Sequence, residues 1–334
     1  MPQPDDMAKA VAYLVGDEAD WSTGRVIFST GSEITTIEPP RLMEVVRSER
    51  VSNYSAVLST LIPEVFVPAE AAQRTGGGSN SRFGPIFSGA AGAPPTASTR
   101  ANCLIVSEDP AIATSLGDAV RAWGMTPVKI GGAGRLMVDS TSPDGFETVS
   151  RMFSDAVEAN GAVDAIVVVG EVANSQSTTE RDSWPQLIES HSNVVNDIMF
   201  HGAWLRAAGR YSNESSRSIR IVHLTAASTP AGRTTSQAIS QMVRNANDIP
   251  FPTSFDAYSI SLETSGADDV DPMCALTARL VCAEDTRTLR GSEFVAHRGW
   301  IGLRSHPAPG ATISFGGPDI PSWVSSAFRL ALDD

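Results

Sequence analysis

From Cys103 to Leu262, short β-branched apolar runs alternate with longer segments whose apolar residues recur at helical spacing. Strands are expected at Cys103–Val106, Pro127–Ile130, Arg135–Asp139, Ala165–Val169, Ile219–Leu224 and Phe255–Leu262. Helices are expected at Ile112–Trp123, Gly145–Glu158, Trp184–Ala208 and Gln237–Asn247, between those strands. Strands alternating with helices at this spacing predict an α/β fold, a doubly wound parallel sheet with helices on both faces. In such a sheet the first βα turn, after Val106, is where a dinucleotide would sit.

Ahead of this region the chain is less regular. Residues 5–34 carry apolar side chains at helical spacing (Met7, Val11, Leu14, Val15), an acidic turn, and a short strand from Arg25 to Ser29. A connector follows, with short helices expected at Arg41–Arg47 and Ser55–Ile62. Residues 71–100 are rich in Gly, Ser, Ala and Pro and cannot bury enough apolar surface to hold one structure. Gly76–Gly78 therefore belong to a flexible linker, since no strand leads into them as a phosphate loop requires. The chain divides into 1–36, a connector over 37–100, and a domain over 101–334.

The segment 5–34 recurs near the other end. Met7 matches Met273, Leu14 and Val15 match Leu280 and Val281, and Glu18 matches Glu284. After a one-residue insertion, Gly24 matches Gly291. A repeat of this size points to duplication, with only the terminal part of the first copy present.

Composition narrows the partners. A formal charge of −13 argues against nucleic acid or an anionic membrane surface. The N-terminal residues lack a basic and then apolar leader pattern, no long apolar run occurs, and the three cysteines (Cys103, Cys274, Cys282) lack metal-ligand spacing. A cytoplasmic protein with buried thiols is expected.

The stretch Ser218–Asn245, SIRIVHLTAASTPAGRTTSQAISQMVRN, carries the strongest likeness. Its strand, turn and helix resemble the active-site segment of the short-chain dehydrogenase/reductases, and both copies of the repeat resemble that family's last helix and strand. The resemblance implies a Rossmann-like sheet, NAD or NADP as cofactor, and a catalytic Ser followed by a Tyr-x-x-x-Lys pair. Here Ala226 stands at the Ser position, and the Tyr and Lys positions fall near Ile239 and Val243. The only lysines are Lys9 and Lys129, preceded four residues earlier by Asp5 and Met125, so no Tyr-x-x-x-Lys exists in the chain. Without a phenol whose pKa is lowered by a neighbouring ammonium, the family's general acid is missing.

The other family positions are also altered. The Gly-rich nucleotide loop falls on Ser107, Glu108, Asp109, Ala111 and Ala113: Ser107, Ala111 and Ala113 stand at its three glycine positions, and Glu108 and Asp109 add carboxylates between them. Each like-charge contact with a pyrophosphate costs roughly 4 kcal/mol at about 4 Å before screening. Acidic residues there fit a capped helix N-terminus instead. The adenine-side N-N-A-G falls on Val168–Glu171 and leaves only Gly170, one place early. The catalytic Asn position becomes His191, with no identifiable nucleophile or pairing carboxylate, and His201, His223, His297 and His306 show no ligand spacing. Asp139 and Asp164 match family aspartates and read as solvated or capping residues, and Ser228, Ser236 and Ser240 as turn or cap residues.

The expectation is a non-catalytic subunit in a hetero-oligomer with an active short-chain dehydrogenase that binds NAD or NADP. This chain is expected to hold neither cofactor nor metal. The alternatives are a stand-alone ligand-binding or regulatory module and, least supported by the lysine count, a reductase with displaced residues.

Overall fold

The structure is a computed structural model and describes residues 4–47, 54–75, 101–131, 144–170, 188, 191–250, 254–263, 270–297, 300–317 and 319–332. These fall into two compact units, one from within 42–71 and 82–304 and the other from within 1–41, 72–81 and 305–334.

In the larger unit, six strands form a parallel array: β4 (Asn102–Val106), β5 (Thr126–Ile130), β6 (Ala165–Val169), β7 (Ile219–Ala226), β8 (Phe255–Leu262) and β9 (Glu293–His297). Two more, β3 (Leu42–Arg47) and β10 (Trp300–Arg304), add antiparallel at one side, giving the order β3-β10-β9-β8-β7-β6-β4-β5. Every residue of β6 and β8 is buried, so neither strand shows the polar alternation of a half-exposed one, and the charged residue in β8, Asp256, faces buried Arg220.

Period-2 alternation sends the two faces of the sheet to different helices. Cys103, Ile105, Val167 and Tyr258 share one core with α2 (Tyr54–Leu61), α4 (Pro110–Arg121) and α8 (Val270–Cys282). Leu104, Val106, Ile166 and Ile221 share the other with α5 (Gly145–Asn160), α6 (Val194–Ser215) and α7 (Pro230–Asp248). Burying each large aliphatic side chain contributes roughly 1.5–3 kcal/mol. The fold is therefore the doubly wound, Rossmann-like one that the strand–helix alternation predicts.

The smaller unit holds α1 (Pro4–Leu14), the hairpin β1 (Val26–Ser29) and β2 (Glu33–Glu38), then β11 (Ala308–Ser314) and α9 (Val324–Leu332). Its sheet is antiparallel in the order β1-β2-β11. Ile34, Val324 and Phe328 form its small core, and Trp21 stacks on Phe328 with ring centroids 4.1 Å apart. Tyr13 and Ser325 hydroxyls lie 2.6 Å apart beside it.

Several expected elements differ. Arg41–Arg47 is not a helix: Leu42–Arg47 forms β3, with Val45 opposite Gly302 and Val46 opposite Ile301. Leu, Met and Glu favour a helix, but two isolated turns are marginal, whereas the sheet offers a ready ladder and buries Met43 and Val46 against its core. The long helix expected over Trp184–Ala208 is interrupted: Ile188 is helical, His191–Asn193 form a turn, and a helix from Val194 continues to Ser215, where Ser216 in the left-handed region ends it. The helix expected at Gln237 begins seven residues earlier, at Pro230, because the Thr229 hydroxyl caps it by accepting from Gly232 N. Arg135–Asp139, Gly76–Gly78, Trp184 and most of residues 171–190 lie outside the described residues.

Candidate functional site

Open α/β sheets bind ligands outside the carboxyl ends of their strands, where successive crossovers diverge. Here β5 and β6 flank β4 on opposite sides, so that point is the turn after Val106. Ser107 is buried and its N–H donates to Ile130 O at 3.1 Å. Asp109 caps α4: its Oδ1 accepts from Ala111 N at 2.8 Å and Ile112 N at 3.1 Å, while Ala113 N donates to Asp109 O at 3.0 Å. The donors that a helix N-terminus presents to an anion are thus already engaged by a carboxylate of the chain itself. Ala113 is buried in the α4 core, so its methyl group is a packing element, and Glu108 is exposed at the same turn. An incoming pyrophosphate would have to displace Asp109 and face Glu108.

At the next strand end, Gly170 N donates to Leu224 O at 2.9 Å. A Cβ at Gly170 would lie 2.7 Å from His201 Nε2, so the glycine is fixed by packing against that imidazole. Ala226 ends β7, and α7 starts close above it: a Cβ at Gly232 would lie 2.4 Å from Ala226 O. Ile239 and Val243 on α7 are fully buried in the core shared with Trp204 and Ile221. They contribute no ionisable group. His191 lies half-buried in the turn before α6, its N–H donating to Ile188 O at 3.2 Å.

The serines considered as displaced nucleophiles are not turn or cap residues in two of three cases. Ser236 and Ser240 are buried inside α7, and Ser240 Oγ lies 3.0 Å from Ser259 Oγ, a satisfied pair in the core. Asp164 accepts from Ala101 N at 2.8 Å and pairs with Arg217 at 2.6 Å, tying the start of β6 to the segment before β7. None of the three cysteines is in a disulfide, all are buried, and burial pushes the Cys274 thiol up to about 12. Among the described residues no three His, Cys, Asp or Glu side chains group as a metal site, and no helix is long and apolar enough to cross a membrane.

The structure also assembles two groups that residue spacing does not reveal. His201 from α6 and His223 from β7 meet with their Nδ1 atoms 2.9 Å apart, both buried. Burial lowers His201 to about 3 and pushes His223 well below the usual range, with the neighbouring imidazole adding to the latter. The one signal in the sequence is a His inside an otherwise apolar strand, Val222-His223-Leu224. Arg220, expected only as a strand residue, is fully buried. It donates to Leu280 O at 3.1 Å, to Ala283 O and to Thr286 Oγ1 at 3.2 Å, and it faces Asp256 at 3.6 Å. It therefore fastens the C-terminal end of α8 to the sheet. Both groups are buried in the core, and the His pair lies beneath the crevice floor at Gly170.

No protein-family model and no curated protein matches this chain. Solved structures similar to it include a short-chain dehydrogenase from Mycobacterium avium, at 17% identity over 71% of this chain and 96% of that one, with a TM-score of 0.48. An enoyl-(acyl-carrier-protein) reductase from Anaplasma phagocytophilum in complex with NAD shares 12% identity over 62% and 96%, with a TM-score of 0.43. A halohydrin dehalogenase shares 9% over 59% and 96%, also at 0.43. The fold assignment stands on this chain's own strand order.

Proposed function

We propose that this chain is a non-catalytic subunit of a short-chain dehydrogenase/reductase hetero-oligomer, supporting NAD(P)-dependent alcohol or ketone oxidoreduction in a partner chain. The observation that carries this reading is the capture of the α4 N-terminal amides by Asp109, at the turn where a dinucleotide phosphate would otherwise be held. The buried, non-ionisable Ile239 and Val243 support it from the chemical side, since proton delivery to a carbonyl needs an acid at the mouth of the sheet. On this reading the pseudo-active crevice holds no cofactor, NAD or NADP belongs to the partner, and residues 1–36 are the tail of a first domain of the same kind. The chain contributes a stable sheet and helical faces.

The test is co-purification at native expression level, with native mass spectrometry and calorimetry against NADH and NADPH. The expected result is a complex with an active short-chain dehydrogenase, whose cofactor stoichiometry counts only the partner. A homogeneous monomer or homo-oligomer without any dehydrogenase, or micromolar cofactor binding by the isolated chain, overturns the reading.

A further inference from the structure

The internal repeat is a repeat of structure as well as sequence, and its two copies differ in what covers them. In each, a helix is followed by a 3₁₀ turn, a glycine at positive φ, a strand and an antiparallel return strand. The first copy runs α1, Gly24 (φ 73°), β1 and β2, and the second runs α8, Gly291 (φ 85°), β9 and β10. The third strand of each sheet edge is exchanged. The strand after the first hairpin, β3, pairs with β10, and the strand after the second, β11, pairs with β2.

The remaining edge of the hairpin differs between copies. In the second, β9 runs parallel to β8, with Ser259 opposite Glu293 through to Leu262 opposite Ala296, and α4 packs on α8. Both faces of β9 are buried from Glu293 to Ala296, and Val281 on α8 is fully buried. In the first, β1 pairs only with β2 among the described residues. Val26 and Phe28 are 66% and 52% exposed, and Val15, the counterpart of Val281, is 80% exposed. Val11, one turn earlier on α1, is 60% exposed. A four-residue edge strand alone is tolerable in a soluble protein. Here, however, the second copy shows what covers the corresponding edge and helix: β8 and α4.

We infer that the open edge of β1, together with the bare Val11, Val15, Val26 and Phe28, docks a doubly wound domain on another polypeptide whose sheet ends at a counterpart of β8. This rests on the partner proposed above. The partner strand would run parallel to Val26–Ser29 and satisfy the N–H and C=O groups that β8 satisfies for β9. A helix corresponding to α4 would cover Val11 and Val15. A second copy of this chain cannot supply that strand, because its own β8 edge is already filled by β9. The smaller unit thus completes the partner's sheet with a last helix and strand.

The experiment co-expresses the full chain with the short-chain dehydrogenase that co-purifies with it at native expression level and compares hydrogen exchange of the complex with that of the free chain. The expected result is at least tenfold slower exchange at Val26–Ser29 in the complex. A V15D/F28D variant, altered only at exposed side chains, should weaken the complex at least tenfold while keeping the wild-type melting transition. If a complex forms but those amides are unchanged, or the variant binds with unaltered Kd, the docking edge is refuted and the subunit proposal survives. No complex at all removes both. Concentration-dependent protection of β1 in the free chain would instead identify self-association and overturn the inference.

Discussion

His201 Nδ1 and His223 Nδ1 approach to 2.9 Å inside the larger unit, joining α6 to the middle of the parallel sheet. One ring must donate and the other accept, so the pair is bonded only while at least one imidazole is neutral. Burial depresses both, His201 to about 3. The folded state therefore binds fewer protons than the unfolded one between about 3 and the ordinary imidazole value of 6.5.

Stability should accordingly be complete above pH 6.5 and fall as the pH drops from there towards about 3, the window set by His201. A tenfold difference in proton affinity between the folded and unfolded states corresponds to about 1.4 kcal/mol. Urea unfolding across this range should show a steeper pH dependence for the wild type than for H201N, by about one proton. Equal slopes would contradict the buried neutral pair.

Arg220 should be among the most costly residues to truncate. R220M removes the donor to Leu280, Ala283 and Thr286 and leaves Asp256, which is fully buried, facing a methyl group. Breaking one side of a buried pair typically costs about 3–5 kcal/mol, and replacing both sides with apolar groups recovers part of it. Equilibrium denaturation of R220M and R220M/D256L should give that order, and an R220M protein as stable as the wild type would refute the anchoring role.

Gly232 holds the first turn of α7 against the end of β7. G232A places a methyl group 2.4 Å from Ala226 O, a backbone atom that no rotamer change can move. A loss of about 1–3 kcal/mol is expected. G317A, where nothing lies within 4 Å, should stay within about 0.5 kcal/mol of wild type. Comparing the two melting curves separates close approach from the general effect of adding a methyl group.

The capped turn after β4 makes a prediction about cofactor affinity. The wild-type chain should show no NADH or NADPH binding by calorimetry at millimolar ligand. D109G/A111G/A113G releases the amides now bonded to Asp109 and places glycine at two of the family's loop positions, so weak binding should emerge, at a stability cost of about 1 kcal/mol for the lost cap. A wild-type Kd in the micromolar range would show that Asp109 does not block the site.

Much of the larger unit was legible because its signals are local. Ala165–Val169 and Phe255–Leu262 have the bounds their apolar runs suggest, and the helices after β4 and before β6 lie within two residues of their expected starts. Arg41–Arg47 was not legible, since a segment with helix-favouring Leu42, Met43 and Glu44 forms a strand, Leu42–Arg47, only through an edge already present in the sheet. His201 and His223 are twenty-two positions apart and carry no motif. Their meeting depends on which turn of α6 faces which residue of β7. At the candidate crevice the sequence places Asp109, Ala226, Ile239 and Val243, and the structure puts Asp109 at the α4 N-terminus and buries Ile239 and Val243 in the core. That Asp109 spends its carboxylate on the α4 amides emerges only in the folded chain.

The sequence by itself determined the alternation of strands and helices, the absence of Tyr-x-x-x-Lys and the recurrence of a helix–strand pattern. Each depends on residue identity over short distances, where period, propensity and composition act directly. Only the tertiary structure decided which strands pair, and hence that β3 and β11 are exchanged between the two copies and that β9 has a neighbour in β8 while β1 keeps an open edge. The physical reason is that strand pairing satisfies backbone groups common to all residues. The choice of partner is therefore made by the packing of side chains far apart in the chain.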